Sequence, residues 1–247
     1  MSARTVLILL AWQCLAQAPS SDPPYKQGSD WKPLLNGRDL SGWHGMAGKS
    51  NDWFTTDEVL WDRANPTKLV AHSAPGAIIV NGASGRTSHL VTDLKFGDVE
   101  LYLEFLISKG SNSGVYLQGL YEVQILDSFG VLTPGVHDCG AIYERWINNK
   151  GVGGSPPSRN VSRPPGEWQS FHIWFRAPRF HADGTKSADA KFLTVKHNGV
   201  DVQKNVSSEG PTRAGMDIPE ARENPLMLQG DHGPVAFRNI YIRPLRQ

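Results

Sequence analysis

The sequence predicts an all-β fold, an antiparallel two-sheet β-sandwich of jelly-roll type, on three observations. Segments with period-two alternation of apolar and polar residues recur along the chain; Gly, Asn or Pro punctuates most of the joints between them; and no window sustains the 3.6-residue apolar spacing of a long amphipathic helix. A closed barrel is the alternative architecture. With 247 residues, 39% of them apolar, the chain reads as one globular domain able to fill a core.

At the start, residues 1–18 hold one charged side chain, Arg4, followed by an uncharged run over 5–12 and the small residues Ala16 and Ala18. This is a signal-peptide pattern with cleavage expected after Ala18, so the protein is expected to be secreted or periplasmic. Cys14 raises a lipid anchor, but Trp12 and Gln13 stand where small residues are required. Cleavage would leave Cys139 without an intrachain partner, so stability is expected from the core and not from a disulfide. Residues 19–29 read as a flexible lead-in and 30–247 as the domain. No later run approaches the ~18 apolar residues of a membrane span. The chain has 25 basic against 24 acidic side chains, and loss of Arg4 with the leader makes the two equal, which argues against nucleic acid as a partner.

The clearest element is Val99–Ile107, where Val99, Leu101, Leu103, Phe105 and Ile107 share one face and Glu100, Tyr102 and Glu104 the other, a half-buried strand. Further strands are expected over 77–80, 88–92, 114–118, 121–126, 169–176, 192–197, 200–204, 226–229 and 235–243. Asn198-Gly199 marks a tight hairpin. Residues 148–165, rich in Gly, Pro and Ser, read as a long loop over one end of the sandwich.

No G-x-S-x-G, P-loop, H-E-x-x-H or paired C-x-x-C occurs, which removes the usual support for serine-hydrolase, nucleotide and zinc chemistry. Cys139 follows His137 and Asp138, but a half-buried thiol in a loop explains it better than a nucleophile does. Two segments point to chemistry. In Tyr121-Glu122-Val123-Gln124-Ile125, Glu122 and Gln124 share the face opposite the apolar residues, beside Gln118 of the preceding strand. On a solvated face they would be unremarkable; on a concave one they form a polar floor for sugar hydroxyls, with Glu122 able to exchange a proton. Trp43, Trp53, Trp61, Trp146, Trp168 and Trp174 supply stacking platforms or core. In the second segment, Asp231 and His232 lie in a Gly-bounded turn, where the carboxylate can orient the imidazole or, equally, only cap backbone N–H groups. Arg238, on the same face as Ile240 and Ile242, needs a carboxylate or a substrate as partner.

Several stretches together resemble the 3-keto-disaccharide hydrolase domain family. They are residues 34–43 (LLNGRDLSGW), 112–116 (NSGVY), 121–125 (YEVQI) with Asp127 and Ser128, 140–143 (GAIY), 166–168 (GEW), Asn198-Gly199, and 228–233 (LQGDHG) with 237–240 (FRNI). The resemblance implies a concanavalin-like jelly roll whose concave sheet binds sugar, and cleavage of glycosides already oxidised to a ketone at C3. The candidate catalytic residues are Glu122, His232 and Asp231, and the candidate sugar contacts Gln124, Gln118, Tyr143, Arg238, Trp43 and Trp146. The sequence departs from the pattern mainly at 148–165 and 179–190, so the resemblance does not fix substrate size and specificity. Such a substrate calls for a base, Glu122 or His232, and a group to stabilise an enolate, and not for the paired carboxylates of ordinary glycosidases. No cofactor is assigned; a divalent ion is a candidate, for which Glu122, Asp127, Asp231 and His232 are plausible ligands without diagnostic spacing. The competing reading is a noncatalytic carbohydrate-binding module using the same face. A conventional β-glucanase expects a carboxylate where Gln124 stands.

Overall fold

A computed structural model describes residues 23–46 and 51–245; the leader expected over 1–18 lies outside them. Thirteen strands form two sheets: β1 (Lys32–Pro33), β2 (Trp43–Gly45), β3 (Phe54–Thr56), β4 (Ile78–Val80), β5 (Leu90–Phe96), β6 (Val99–Ile107), β7 (Asn112–Leu117), β8 (Tyr121–Leu126), β9 (Gln169–Arg176), β10 (Ala190–His197), β11 (Val200–Ser208), β12 (Asn224–Leu228) and β13 (Val235–Pro244). One sheet runs β11-β10-β9-β6-β13-β4-β3, with β1 also on β13, and the other β8-β7-β12-β5-β2. Every pairing within them is antiparallel. Among the described residues the only helix is the 3-10 turn Pro24–Lys26, and no helix is long and apolar enough to cross a membrane.

The two inner faces meet in one core. Leu101, Leu103 and Phe105 of β6, Phe171, Ile173 and Phe175 of β9, and Val115, Val123 and Ile125 of β7 and β8 belong to a single apolar cluster. The alternation read from the sequence supplies these inward residues, and the Asn198-Gly199 turn closes β10 on β11 with both residues at positive φ (50° and 81°).

Three expectations are corrected. Strand β6 is not half-buried, because Glu100 and Tyr102 of its second face are also buried. On that face Tyr25 stacks on Tyr241 with ring centroids 4.0 Å apart, and Glu100 is held by His172 and Arg243. Residues 148–165 are not all loop, since Arg145–Ile147 and Lys150–Val152 pair as a hairpin whose turn residues Asn148 and Asn149 take φ of 51° and 60°. Strand β13 does not keep its phase. A bulge between Arg238 and Tyr241, with Asn239 at φ 50°, puts Phe237, Ile240 and Ile242 together on the core side and Arg238 on the outside.

Candidate active site

The site lies on the outer face of the five-stranded sheet. Antiparallel register lines up Glu122, Tyr116, Met227, Val91 and His44 in one row across it, and sets Gln124 opposite Gly114 in the next. The missing side chain at Gly114 makes room for the Glu122 carboxyl: a Cβ there would lie 2.1 Å from Glu122 Oε1. The free edge of β8 is occupied by two distant segments. Tyr143 N–H donates to the Glu122 carbonyl (3.1 Å) and Gln124 N–H to the Ala141 carbonyl (2.9 Å), while Glu122 N–H donates to the Thr212 hydroxyl (3.1 Å). These bonds carry Tyr143 and Arg213 to the rim of the same face.

From the end of β12 the chain turns back through Asp231 and His232. Gly230 packs so closely on Ser88 that an added Cβ would meet its carbonyl at 2.4 Å, and Gly233 takes φ 133°. Asn112 N–H donates to the His232 carbonyl (3.1 Å), which fixes the turn beside the start of β7. The result is a cavity of about 350 Å³ lined by Asn112, Tyr116, Glu122, Gln124, Tyr143, Arg213, Ala214, Gln229 and His232.

Glu122 is 3% exposed. Burial, and after it the charge of Asp231, raises its carboxyl from the ordinary 4.5 to about 8, against a hydrogen bond with the Tyr116 hydroxyl that acts in the other direction. Glu122 is thus protonated at neutral pH. The Tyr116 hydroxyl also lies 3.3 Å from the Arg213 carbonyl, to which it can donate while the protonated carboxyl donates to it. His232 differs: its Nδ1 is 2.5 Å from Asp231 Oδ1, and more than half of its side chain is exposed. With Nδ1–H donated to Asp231, Nε2 carries the free lone pair. Burial raises the Tyr143 phenol, with Glu122 and Glu144 adding to the shift and Arg213 opposing it, so Tyr143 is a hydrogen-bond donor at neutral pH.

The structure therefore brings Glu122, Gln124, Tyr143 and His232 to one cavity, with Asp231 behind His232. Trp146 stands one side chain removed, under the Arg213 guanidinium at 3.8 Å. The remaining sugar contacts expected from the sequence lie elsewhere. Gln118 is in the turn with φ 57°, which ends the strand alternation, and its Nε2 donates to the Phe96 and Arg222 carbonyls. Trp43 is core, its Nε1 donating to the Leu34 carbonyl (2.7 Å). Arg238 is on the other sheet, bonded to Glu104 (2.6 Å) and stacked on Trp168 (4.0 Å). Arg238→Ala is accordingly expected to keep turnover within about twofold and to lower stability by about 1–2 kcal/mol, checked by denaturant unfolding beside an activity assay.

Tyr116, Asn112, Arg213, Ala214 and Gln229 had no role in the sequence reading. Alternation along β7 places Asn112, Gly114 and Tyr116 on one face and could have revealed the first two; nothing local marks Arg213. Cys139 is fully enclosed and burial pushes its thiol up to about 12, which removes it as a nucleophile. Of the four residues considered for a divalent ion, Asp127 accepts the Gly110 N–H (2.9 Å), and among the described residues no three His, Cys, Asp or Glu side chains gather as a ligand set.

A family model described as the 3-keto-alpha-glucoside-1,2-lyase-like domain matches residues 30–243. A solved structure of a candidate glycosyl hydrolase from Parabacteroides distasonis is 30% identical over 88% of this chain and 84% of that one, with a TM-score of 0.63. Two further candidate glycosyl hydrolases from the same organism align over 92% and 88% of this chain and 99% and 100% of theirs, at 17% and 23% identity and TM-scores of 0.58 and 0.52. At those identities they bear on the fold alone. No curated protein matches in sequence.

Proposed function

The chain belongs to the 3-keto-alpha-glucoside-1,2-lyase-like family, and from that premise we propose that it cleaves 3-keto-α-glucosides by elimination across C1 and C2, outside the cytoplasm. The observation that carries the reading is the pairing, in one cavity, of a carboxyl kept protonated to about pH 8 with an imidazole oriented by a carboxylate. A protonated carboxyl and an imidazole held through Nδ1 by a carboxylate offer an acid and a base within one cavity. The family name, the 30% identical candidate glycosyl hydrolase and the polar cavity all support a carbohydrate-active enzyme. Export rests on residues 1–18.

The C3 ketone acidifies the C2 proton. His232 Nε2 removes it, and the electron pair of the C2–H bond passes into an enolate whose charge develops on the C3 oxygen. Tyr143, a protonated phenol on the cavity lining, is the donor assigned to that charge. Collapse of the enolate forms the C1–C2 double bond and breaks the C1–O bond, and the Glu122 carboxyl gives its proton to the departing oxygen. The products are the alcohol and an unsaturated 3-keto sugar, which takes up water to complete hydrolysis. His232 returns its proton to solvent and Glu122 regains one, through solvent or Tyr116.

A 3-keto-α-glucoside is expected to yield the unsaturated ketone, seen by its ultraviolet absorbance, with C2 deuterium lost to solvent, whereas the unoxidised α-glucoside is untouched because its C2 proton is not acidic. Equal cleavage of both substrates, or retention of the C2 label, overturns the mechanism. Sugar affinity without product from any glycoside is the result that identifies a binding module instead.

A further inference from the structure

We infer that Trp146 and the hairpin that carries it form a leaving-group subsite at the mouth of the cavity, and that this subsite takes a flat aromatic alcohol in preference to a second sugar. The inference rests on the elimination reading above and names its substrate class.

The geometry assigns an inside and an outside. Glu122, Gln124 and Tyr116, each at most 3% exposed, form the inner wall, while Arg213 and Ala214 are exposed at the rim. With the inner side closed by Glu122, Gln124 and Tyr116, the C1 substituent of a bound sugar has room only on the open side, where Arg213 stands and Trp146 is stacked on it. The chain reaches Trp146 three residues after Tyr143, and Arg213 N–H is bonded to the Glu144 carbonyl (2.8 Å), so both ends of the Arg213–Trp146 stack are tied to the edge of the active sheet. In the hairpin Trp146 faces Gly151, and Arg145 and Ile147 point to the opposite side, so the indole is not drawn into apolar packing with its own hairpin. It stays 44% exposed with one face under the guanidinium.

The guanidinium also sets the chemistry of the exposed part of the indole. A cation on one side of the indole draws π density toward itself, which weakens attraction for the positively polarised C–H groups of a pyranose and favours offset stacking of an electron-rich phenol ring.

The test compares the methyl, phenyl and glucosyl 3-keto-α-glucosides with wild type, Trp146→Ala and Trp146→Phe. The expected result is that Trp146→Ala raises the phenyl-to-methyl KM ratio about tenfold while Trp146→Phe keeps it within about threefold. An unchanged ratio in Trp146→Ala, with both KM values rising together, shows that Trp146 only holds Arg213 and overturns the subsite. A larger penalty on the glucosyl than on the phenyl substrate overturns the aromatic preference. If wild type turns over none of the three, the elimination reading fails, and calorimetric binding of phenyl and methyl α-glucoside still decides: tighter phenyl binding that is lost in Trp146→Ala supports the subsite, and equal binding in wild type rejects it.

Discussion

His232→Ala is expected to lower kcat on a 3-keto-α-glucoside by about 10²–10⁴-fold and to stop exchange of the C2 proton with solvent to the same degree. The size follows from the role: with Nδ1–H donated to Asp231, imidazole Nε2 is the nitrogen left to take the C2 proton. Asp231→Asn, which keeps the shape and loses the charge, should lose a large part of the same activity by presenting the wrong tautomer, as seen where a carboxylate orients a catalytic histidine. Glu122→Gln should separate the two halves of the reaction. It leaves His232 able to remove the C2 proton, so label exchange continues, while expulsion of an unactivated alkoxide slows. A phenolate departs without protonation, so a phenyl substrate should suffer less than a methyl one. Exchange that survives in His232→Ala and vanishes in Glu122→Gln reverses the assignment and makes Glu122 the base.

How far the sequence could carry this site depended on the range of each interaction. Alternation fixed the shared face of Glu122 and Gln124, because a strand turns each side chain by half a revolution whatever it packs against. The Asp231–His232 turn was legible because flanking glycines mark a break between strands. Arg213 was not, because Thr212 reaches β8 through bonds to Leu120 and Glu122, about ninety positions away in the chain. Arg238 misled for a local reason: one left-handed residue, Asn239, shifts the strand beyond it by a position, so Ile240 and Ile242 leave the face of Arg238, which pairs opposite Glu104 on the sheet remote from the cavity. Gln118 failed the same way, since its left-handed φ removes it from the alternation that would have set it beside Tyr116. The hairpin at 145–152 was hidden by composition, because the glycines and prolines that follow it outweighed the Asn148-Asn149 turn signal.

Glu122→Gln is also expected to stabilise the protein increasingly as pH rises. In the unfolded chain the Glu122 carboxyl ionises above its ordinary 4.5; in the folded protein burial keeps it protonated to about 8. The folded state therefore binds the extra proton between those values, and the stability present below pH 4.5 is lost as pH climbs through that window. The loss amounts to roughly 3 kcal/mol by pH 7 and approaches roughly 5 kcal/mol above pH 8. A glutamine keeps the volume and a hydrogen-bonding group for Tyr116 without an ionisable proton. Urea unfolding at pH 5 and pH 8 should then show the gap between variant and wild type widening by roughly 3 kcal/mol; parallel curves would mean that Glu122 is already ionised in the folded state. The same proton links stability to function. As the acid for the departing oxygen, Glu122 must be protonated, so wild-type turnover of the methyl substrate should fall above about pH 8, and that limb should be absent from the residual activity of Glu122→Gln. The desolvation that makes the carboxyl a usable acid at neutral pH is thus the same term that weakens the fold there, and both effects should disappear together in one substitution.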